Sequence, residues 1–385
     1  MKSQIPPETV NSRRIIEAGY YPNLLEDARE LDEGPHLEGA PVGEEWNAPE
    51  RIGAGHRKQH MSVVPIEHQA VRARYVVEDA VEDPVGAEAI KPARRVMQAG
   101  AALIGAAGFW IVTSPTAFAL VRGRTFASLN AAPNLENGKT IFWAGGCASC
   151  HAIPNEADRT KLGGGLALPS PFGTFYAPNI SPHSRDGVGS WSAEDFARAM
   201  TQGVSPDGRH YFPAFPYTSY QRLSETDLRD LFGFIKTLAP VEDKARDHDV
   251  PFPFNIRRLL GGWKWLFLDG KPFTPNAQMS EALRRGAYLV EGPGHCAECH
   301  SPRNLIGGIV SSQRLAGGPD PDHPGGWIPN ITQKGLKDWS EKDIASFLSD
   351  GVTPEGDTAG GSMAHVIKNT SQLNDEDRAA MANYL

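Results

Sequence analysis

Basic runs, aliphatic bulk and spare cysteines are all scarce in this chain. No long stretch of lysine or arginine occurs in the 385 residues and the net charge is −8. Nucleic acid is therefore not an expected partner, whereas an electrostatic protein partner is compatible with the charge. Hydrophobic residues make up only 40% of the chain, against 40 glycines and 31 prolines. That balance predicts loop-rich modules in which something other than a large aliphatic core supplies part of the stability, as a bound cofactor would. There are four cysteines, and none stands outside two pairs.

The pairs are Cys147/Cys150 and Cys296/Cys299, each followed at once by a histidine, His151 or His300. Cys-x-x-Cys-His suits covalent haem c. Two thiols one helical turn apart can add to the two vinyl groups, and the next residue sets its imidazole over the iron. His151 and His300 are then the expected proximal ligands. A zinc site would want its two thiolate pairs about 15–20 residues apart, and these pairs are far more distant in the chain. A thioredoxin-like redox pair would need a βαβ context that neither half shows.

Charge is missing from one more place. Between Val96 and Val121 no charged residue occurs, with Lys91, Arg94 and Arg95 before the run and Arg122 and Arg124 after it. A membrane anchor and an export signal both fit. A helix of this length would cross the roughly 30 Å hydrocarbon core, but Pro115 breaks its far end, Ala99 to Val112 resembles a signal h-region, and Ala117-Phe118-Ala119 resembles a cleavage site. Residues 1–95 ahead of it are polar, with eleven acidic against four basic residues in the first fifty, which predicts a disordered leader. Such a leader is long for a signal, and translation starting further in, for example at Met61, would account for it.

An internal repeat follows. Leu135, Gly138 and Phe142 lead to Cys147 as Leu283, Gly286 and Val290 lead to Cys296, each set on one helix face. Ala177-Pro178-Asn179-Ile180 corresponds to Ile328-Pro329-Asn330-Ile331, and Trp191-Ser192 to Trp339-Ser340. Each half should close with a capped helix, signalled by Ser224 with Asp227 and by Asn374 with Asp377. Gly138 and Gly286 should let the helix before each motif cross closely against that closing helix.

The halves differ at the sixth iron ligand. Met363, in Gly360-Gly361-Ser362-Met363-Ala364, stands 24 residues after Trp339, on an expected loop before the closing helix, and a thioether there would give a His/Met haem suited to electron transfer. The same count from Trp191 reaches Phe215, which cannot bind iron. Met200 lies on an amphipathic stretch where packing is its expected role. The first haem is thus either five-coordinate or ligated by a neighbour, with His210 the first candidate. Between the halves, an apolar patch from Leu259 to Leu268 with Trp263 and Trp265 sits in a proline-containing ordered linker, to be packed between the domains or laid on a membrane or partner surface.

Over residues 130–385 the chain resembles the membrane-associated multihaem cytochrome c subunits of bacterial alcohol, gluconate and fructose dehydrogenases. The strings that carry the resemblance are Phe142-Trp143-Ala144-Gly145-Gly146-Cys147, Phe172-Gly173-Thr174 to Ile180, Pro213-Ala214-Phe215-Pro216-Tyr217 and Gly292-Pro293-Gly294-His295-Cys296. The resemblance implies a periplasmic relay, free or anchored to the inner membrane, that takes electrons from a dehydrogenase catalytic subunit and hands them to quinone or a soluble cytochrome. Two departures stand out: such subunits commonly carry three haem motifs, and their Pro-Ala-Met-Pro-Tyr loop reads Phe215 here.

The expected fold is all-α: a leader over 1–95, a signal or anchor over 96–121, a cytochrome c domain over 128–240, a linker over 241–277 and a second cytochrome c domain over 278–385. Electron transfer by two covalent haem c groups is the leading functional reading. The alternative is a dihaem enzyme, a peroxidase or sulfur-compound oxidoreductase, working at an open first haem.

Overall fold

A computed structural model describes residues 84–320 and 325–385. The expected disordered leader and the candidate start at Met61 lie largely or wholly outside them. The uncharged segment is helical but forms two pieces, α1 (Pro84–Val112) and α2 (Pro115–Arg122). The break falls at Thr113-Ser114-Pro115, where Pro115 opens α2 and the Ser114 hydroxyl caps it by accepting from the Thr116 N–H.

The first half is built from α3 (Leu135–Ala144), α4 (Cys147–His151), strands β1 (Ala167–Ser170) and β2 (Gly173–Tyr176), then α5 (Ala193–Gln202), α6 (Tyr217–Tyr220) and α7 (Glu225–Thr237). After it comes α8 (Leu259–Phe267). The second half repeats the plan with α9 (Glu281–Glu291), β3 (Gly318–Pro319), β4 (Trp327–Ile328), α10 (Glu341–Asp350), α11 (Gly361–Thr370) and α12 (Asp375–Tyr384). Helices carry the architecture, but the two antiparallel ribbons, β1 with β2 and β3 with β4, add strand to what was expected to be all-α. They form where glycine lets a loop fold back; Gly173 has φ +121°, closing the turn from β1.

Within each half the first helix crosses the last. The pairs are α3 with α7 and α9 with α12. The crossings need their glycines: a Cβ at Gly138 would lie 2.1 Å from the Asp230 carbonyl oxygen, and one at Gly286 would lie 1.8 Å from that of Ala380. Both closing helices carry the predicted caps, the Ser224 hydroxyl accepting from the Asp227 N–H and the Asn374 side chain from the Asp377 N–H. One apolar core runs through both halves, from Ile141, Phe142 and Leu231 to Leu289, Val290 and Met381.

The linker patch is helical. Gly261 and Lys264 on α8, with Leu268 just after it, face inward, and α8 packs against α2 and the end of α1. Phe118 on α2 is fully buried against Tyr217 and Leu268, with the Trp265 ring edge-on at 5.3 Å. Trp263 donates to the Ile306 carbonyl at 2.8 Å, so α8 also touches the second half.

Candidate functional site

Each Cys-x-x-Cys-His motif is immediately preceded by a left-handed residue. After α3 the chain turns through Gly146 (φ +60°) into α4. After α9 the equivalent residue is His295 (φ +40°), which leads into a short turn over Cys296–Glu298 and on to His300. A left-handed histidine is strained backbone that the surroundings must hold in place. Those surroundings are the other motif: the His295 Nε2–H donates to the Gly145 carbonyl at 3.3 Å and the ring meets Tyr220 edge-on. Tyr220 donates to the same carbonyl at 2.8 Å.

Further bonds fasten the motifs together. The buried Glu298 carboxylate accepts from the Thr218 and Ser219 hydroxyls and pairs with Arg303 at 2.7 Å. Burial alone would raise its pKa, but the Arg303 charge and the two hydroxyls outweigh it and hold the carboxyl below its ordinary range. On the other side the Ser149 hydroxyl, inside the first motif, donates to the His365 carbonyl and accepts from Asn369 at 2.6 Å. Both partners lie on α11, the helix that carries Met363.

The two histidines are oriented alike. His151 Nδ1 bonds the Pro178 carbonyl at 2.7 Å and His300 Nδ1 bonds that of Pro329 at 2.8 Å. A carbonyl can only accept, so each Nδ1 carries the proton and each Nε2 keeps its lone pair for a metal. Burial, partly offset by these bonds, lowers both pKa values and keeps the rings neutral. The carbonyls come from the repeated Pro-Asn-Ile strings. The loop returning to each histidine repeats too: Gly164 N–H donates to His151 O, and Gly317 N–H to His300 O.

The cysteine pairs, each followed by its histidine, fit thioether attachment of haem; burial pushes the Cys147 and Cys296 thiols up to about 12 and Cys150 to about 11. Trp143, on α3, offers a buried indole N–H with no partner among the described residues, a donor that a haem propionate could take up. The residues present fit haem.

Met363 lies in the first turn of α11 rather than on a loop, partly buried against the main core. Phe215 contacts Tyr211, Tyr217 and Tyr220. Met200 is buried in the core on α5, in the packing role expected. His210 is committed elsewhere: its Nε2–H donates to the Thr113 carbonyl at the end of α1, and Nδ1 accepts from the buried Lys264 ammonium at 3.0 Å. With both ring nitrogens bonded it has no lone pair to offer iron, which removes the sequence argument for it as a sixth ligand. The other two Lys264 N–H groups go to the carbonyls of Gln202 and Gly203 at the end of α5. Sequence reasoning missed His295, although the repeat sets it opposite Gly146. It also missed Lys264, which no local pattern distinguishes.

The sequence model of the cytochrome c family matches residues 135–239. A diheme cytochrome c-type protein of Cereibacter sphaeroides is 47% identical over 301 residues, 76% of this chain and 97% of that protein. The fructose dehydrogenase cytochrome subunit of Gluconobacter japonicus is 37% identical over 66% of this chain, which spans 52% of its length. The gluconate 2-dehydrogenase cytochrome c subunit of Pantoea cypripedii is 35% identical over 65% of this chain, which spans 58% of its length. With its two Cys-x-x-Cys-His motifs and covalently bound haem, the chain belongs to the dihaem c-type cytochromes.

Proposed function

We propose that the chain is an electron relay of two tandem cytochrome c domains, held on the periplasmic side of a membrane by α1. It would take electrons from a dehydrogenase catalytic subunit and pass them to quinone or a soluble cytochrome. In this reading Cys147, Cys150, Cys296 and Cys299 hold the two haems, with His151 and His300 as proximal ligands and Met363 as sixth ligand of the second. Each haem supplies reversible one-electron chemistry.

The observation that carries the reading is the contact between motifs. Gly145 and Ser149 on one side meet His295 and α11 on the other, so the chain's own residues set the two attachment sites against each other with little intervening protein. Tyr220 and Glu298 fix the pairing, and the carbonyls of Pro178 and Pro329 fix the imidazole planes.

Support for a retained anchor is that the candidate cleavage site is part of the fold. Phe118 is fully buried, and the last carbonyls of α1 accept from His210, Trp265 and Arg258. Cleavage at Ala117-Phe118-Ala119 would strip three buried or half-buried donors of their partners. The span Lys91–Val112 is long and apolar enough to cross a membrane and none of it is buried. Lys91, Arg94 and Arg95 stand at its N-terminal end, which under the positive-inside rule puts the haem domains outside.

Phe215 in place of a methionine supports the second reading, a dihaem enzyme with an open first iron. One experiment separates the two. The matured protein is titrated with carbon monoxide and assayed with peroxide and thiosulfate. A relay turns over neither substrate; steady turnover with either overturns it.

A further inference from the structure

The last turn of α1 does not hang free below the domain. Val112 O accepts from the Trp265 indole at 2.7 Å, Thr113 O from His210 at 2.9 Å, and the Arg258 guanidinium bonds Thr113 Oγ1 at 3.0 Å and Trp110 O. Gly261 on α8 rides on the Thr113 backbone, where a Cβ would come within 2.3 Å of the carbonyl oxygen. Helix α8 is therefore fixed at the depth at which α1 ends.

At that depth α8 shows a second stripe. Opposite the buried Gly261, Lys264 and Leu268 lie Leu259, Gly262 and Leu266, again spaced i, i+3, i+7. Leu259 and Leu266 are 45% and 68% exposed, and a Cβ at Gly262 would meet nothing. The packed neighbour α2 also shows apolar surface: Phe118 is buried, while Leu120 and Val121 are 83% and 70% exposed. The segment leading into α8 adds exposed Phe252 and Phe254.

The polar residues around this face are those of a bilayer rim. Trp110 lies in the last turn of α1 and Trp263 and Trp265 on α8, with Arg258 over the Trp110 ring at 4.0 Å and Arg122 over Trp265 at 5.6 Å. Tryptophan prefers the headgroup layer, and guanidinium groups there meet lipid phosphate.

From this we infer that α2, α8 and the segment before α8 form a seat that lies in the lipid interface, continuous with α1, and hold the first haem domain against the membrane. The inference rests on α1 spanning the bilayer, as proposed above. Leu120, Leu259 and Leu266 would sit among headgroups and upper acyl chains, in the manner of an interfacial amphipathic helix, while Lys264 stays on the protein side.

The test uses the full matured chain in phosphatidylethanolamine/phosphatidylglycerol vesicles, where haem attachment leaves no native thiol. Leu120→Cys, Leu259→Cys, Leu266→Cys and, as a solvent control, Lys337→Cys are each spin-labelled. Collision with oxygen is then compared with collision with a water-soluble nickel chelate. The three seat positions should favour oxygen and show several-fold less chelate access than Lys337. Chelate access equal to the control overturns the seat. Protection from both reagents with dipolar broadening would mean that a second copy covers the face, and overturns it as well. Carbonate washing keeps the two readings apart: a chain released by carbonate refutes the anchor itself, whereas one that stays bound with exposed labels refutes only the seat.

Discussion

His295 reaches across from the second haem motif to the Gly145 carbonyl, 3.3 Å away, in the turn that opens the first. It does so from left-handed backbone, so strain on one side of the contact is held by a hydrogen bond and the Tyr220 ring on the other. His295→Gly should relieve the strain yet loosen the pairing. The expected result is stability within about 1 kcal/mol of the parent together with slower equilibration between the haems, read by flash photolysis of the half-reduced protein.

Removing the thioether of the second site should be visible without any enzyme assay. In Met363→Ala one haem should lose its methionine-ligand absorption, and its potential should fall by on the order of 100 mV, because the thioether favours the reduced iron. The other haem should keep both properties. A redox titration that finds every methionine feature intact would refute the assignment.

The helix crossings predict a contrast between two glycines. Gly286→Ala forces a methyl group onto the Ala380 carbonyl and should cost about 3 kcal/mol through overpacking. Gly262→Ala meets open space within a helix and should be neutral or stabilising by up to about 1 kcal/mol. Chemical denaturation of the two variants measures both.

Lys264 is buried with all three donors used. Lys264→Met would keep the bulk but leave the Gln202 carbonyl and His210 Nδ1 without that donor, and the Gly203 carbonyl with only the Tyr211 N–H. A loss of about 3 kcal/mol is expected from those stranded groups, seen as a lower midpoint of thermal unfolding.

His210 predicts the direction of an acid transition. Burial first, then the positive charges of Lys264 and Arg258, lower its pKa to about 4, against the opposing bond to Thr113. An unfolded histidine takes up its proton near 6.5, so the unfolded chain binds more protons between those values. Stability from this residue is complete above about pH 6.5 and is lost as the pH falls towards 4. In His210→Gln the pH dependence of unfolding over that window should flatten by up to one proton.

What was legible in the sequence depended on covalent chemistry and on repetition. Cysteine pairs followed by histidine announce haem at any distance from the rest of the site, and the paired Pro-Asn-Ile strings mark the loops that turn out to orient His151 and His300. Gly138 and Gly286 were readable because close crossing admits only one residue type. His210 misled because its position in the chain is near Phe215, whereas its bonds are to Thr113 and Lys264, 97 and 54 residues away. Partnerships of that range are settled by packing, and a single sequence contains no local trace of them. The β ribbons were missed because two to four residues of loop backbone closing on themselves need no strand periodicity.

The bonds made by the last turn of α1 carry a mechanical consequence. A single span joined to its domain by a slack linker would let the domain swivel and sample the surface. Here the span's closing carbonyls are gripped by Trp265, His210 and Arg258, and Gly261 leaves no gap for the joint to flex. With α1 in the bilayer, the tilt of that helix sets the heading of the first haem domain, and through the Gly145–His295 contact that of the second. Redox partners must then approach along fixed directions, and a change in bilayer thickness that re-tilts α1 would turn the whole relay with it.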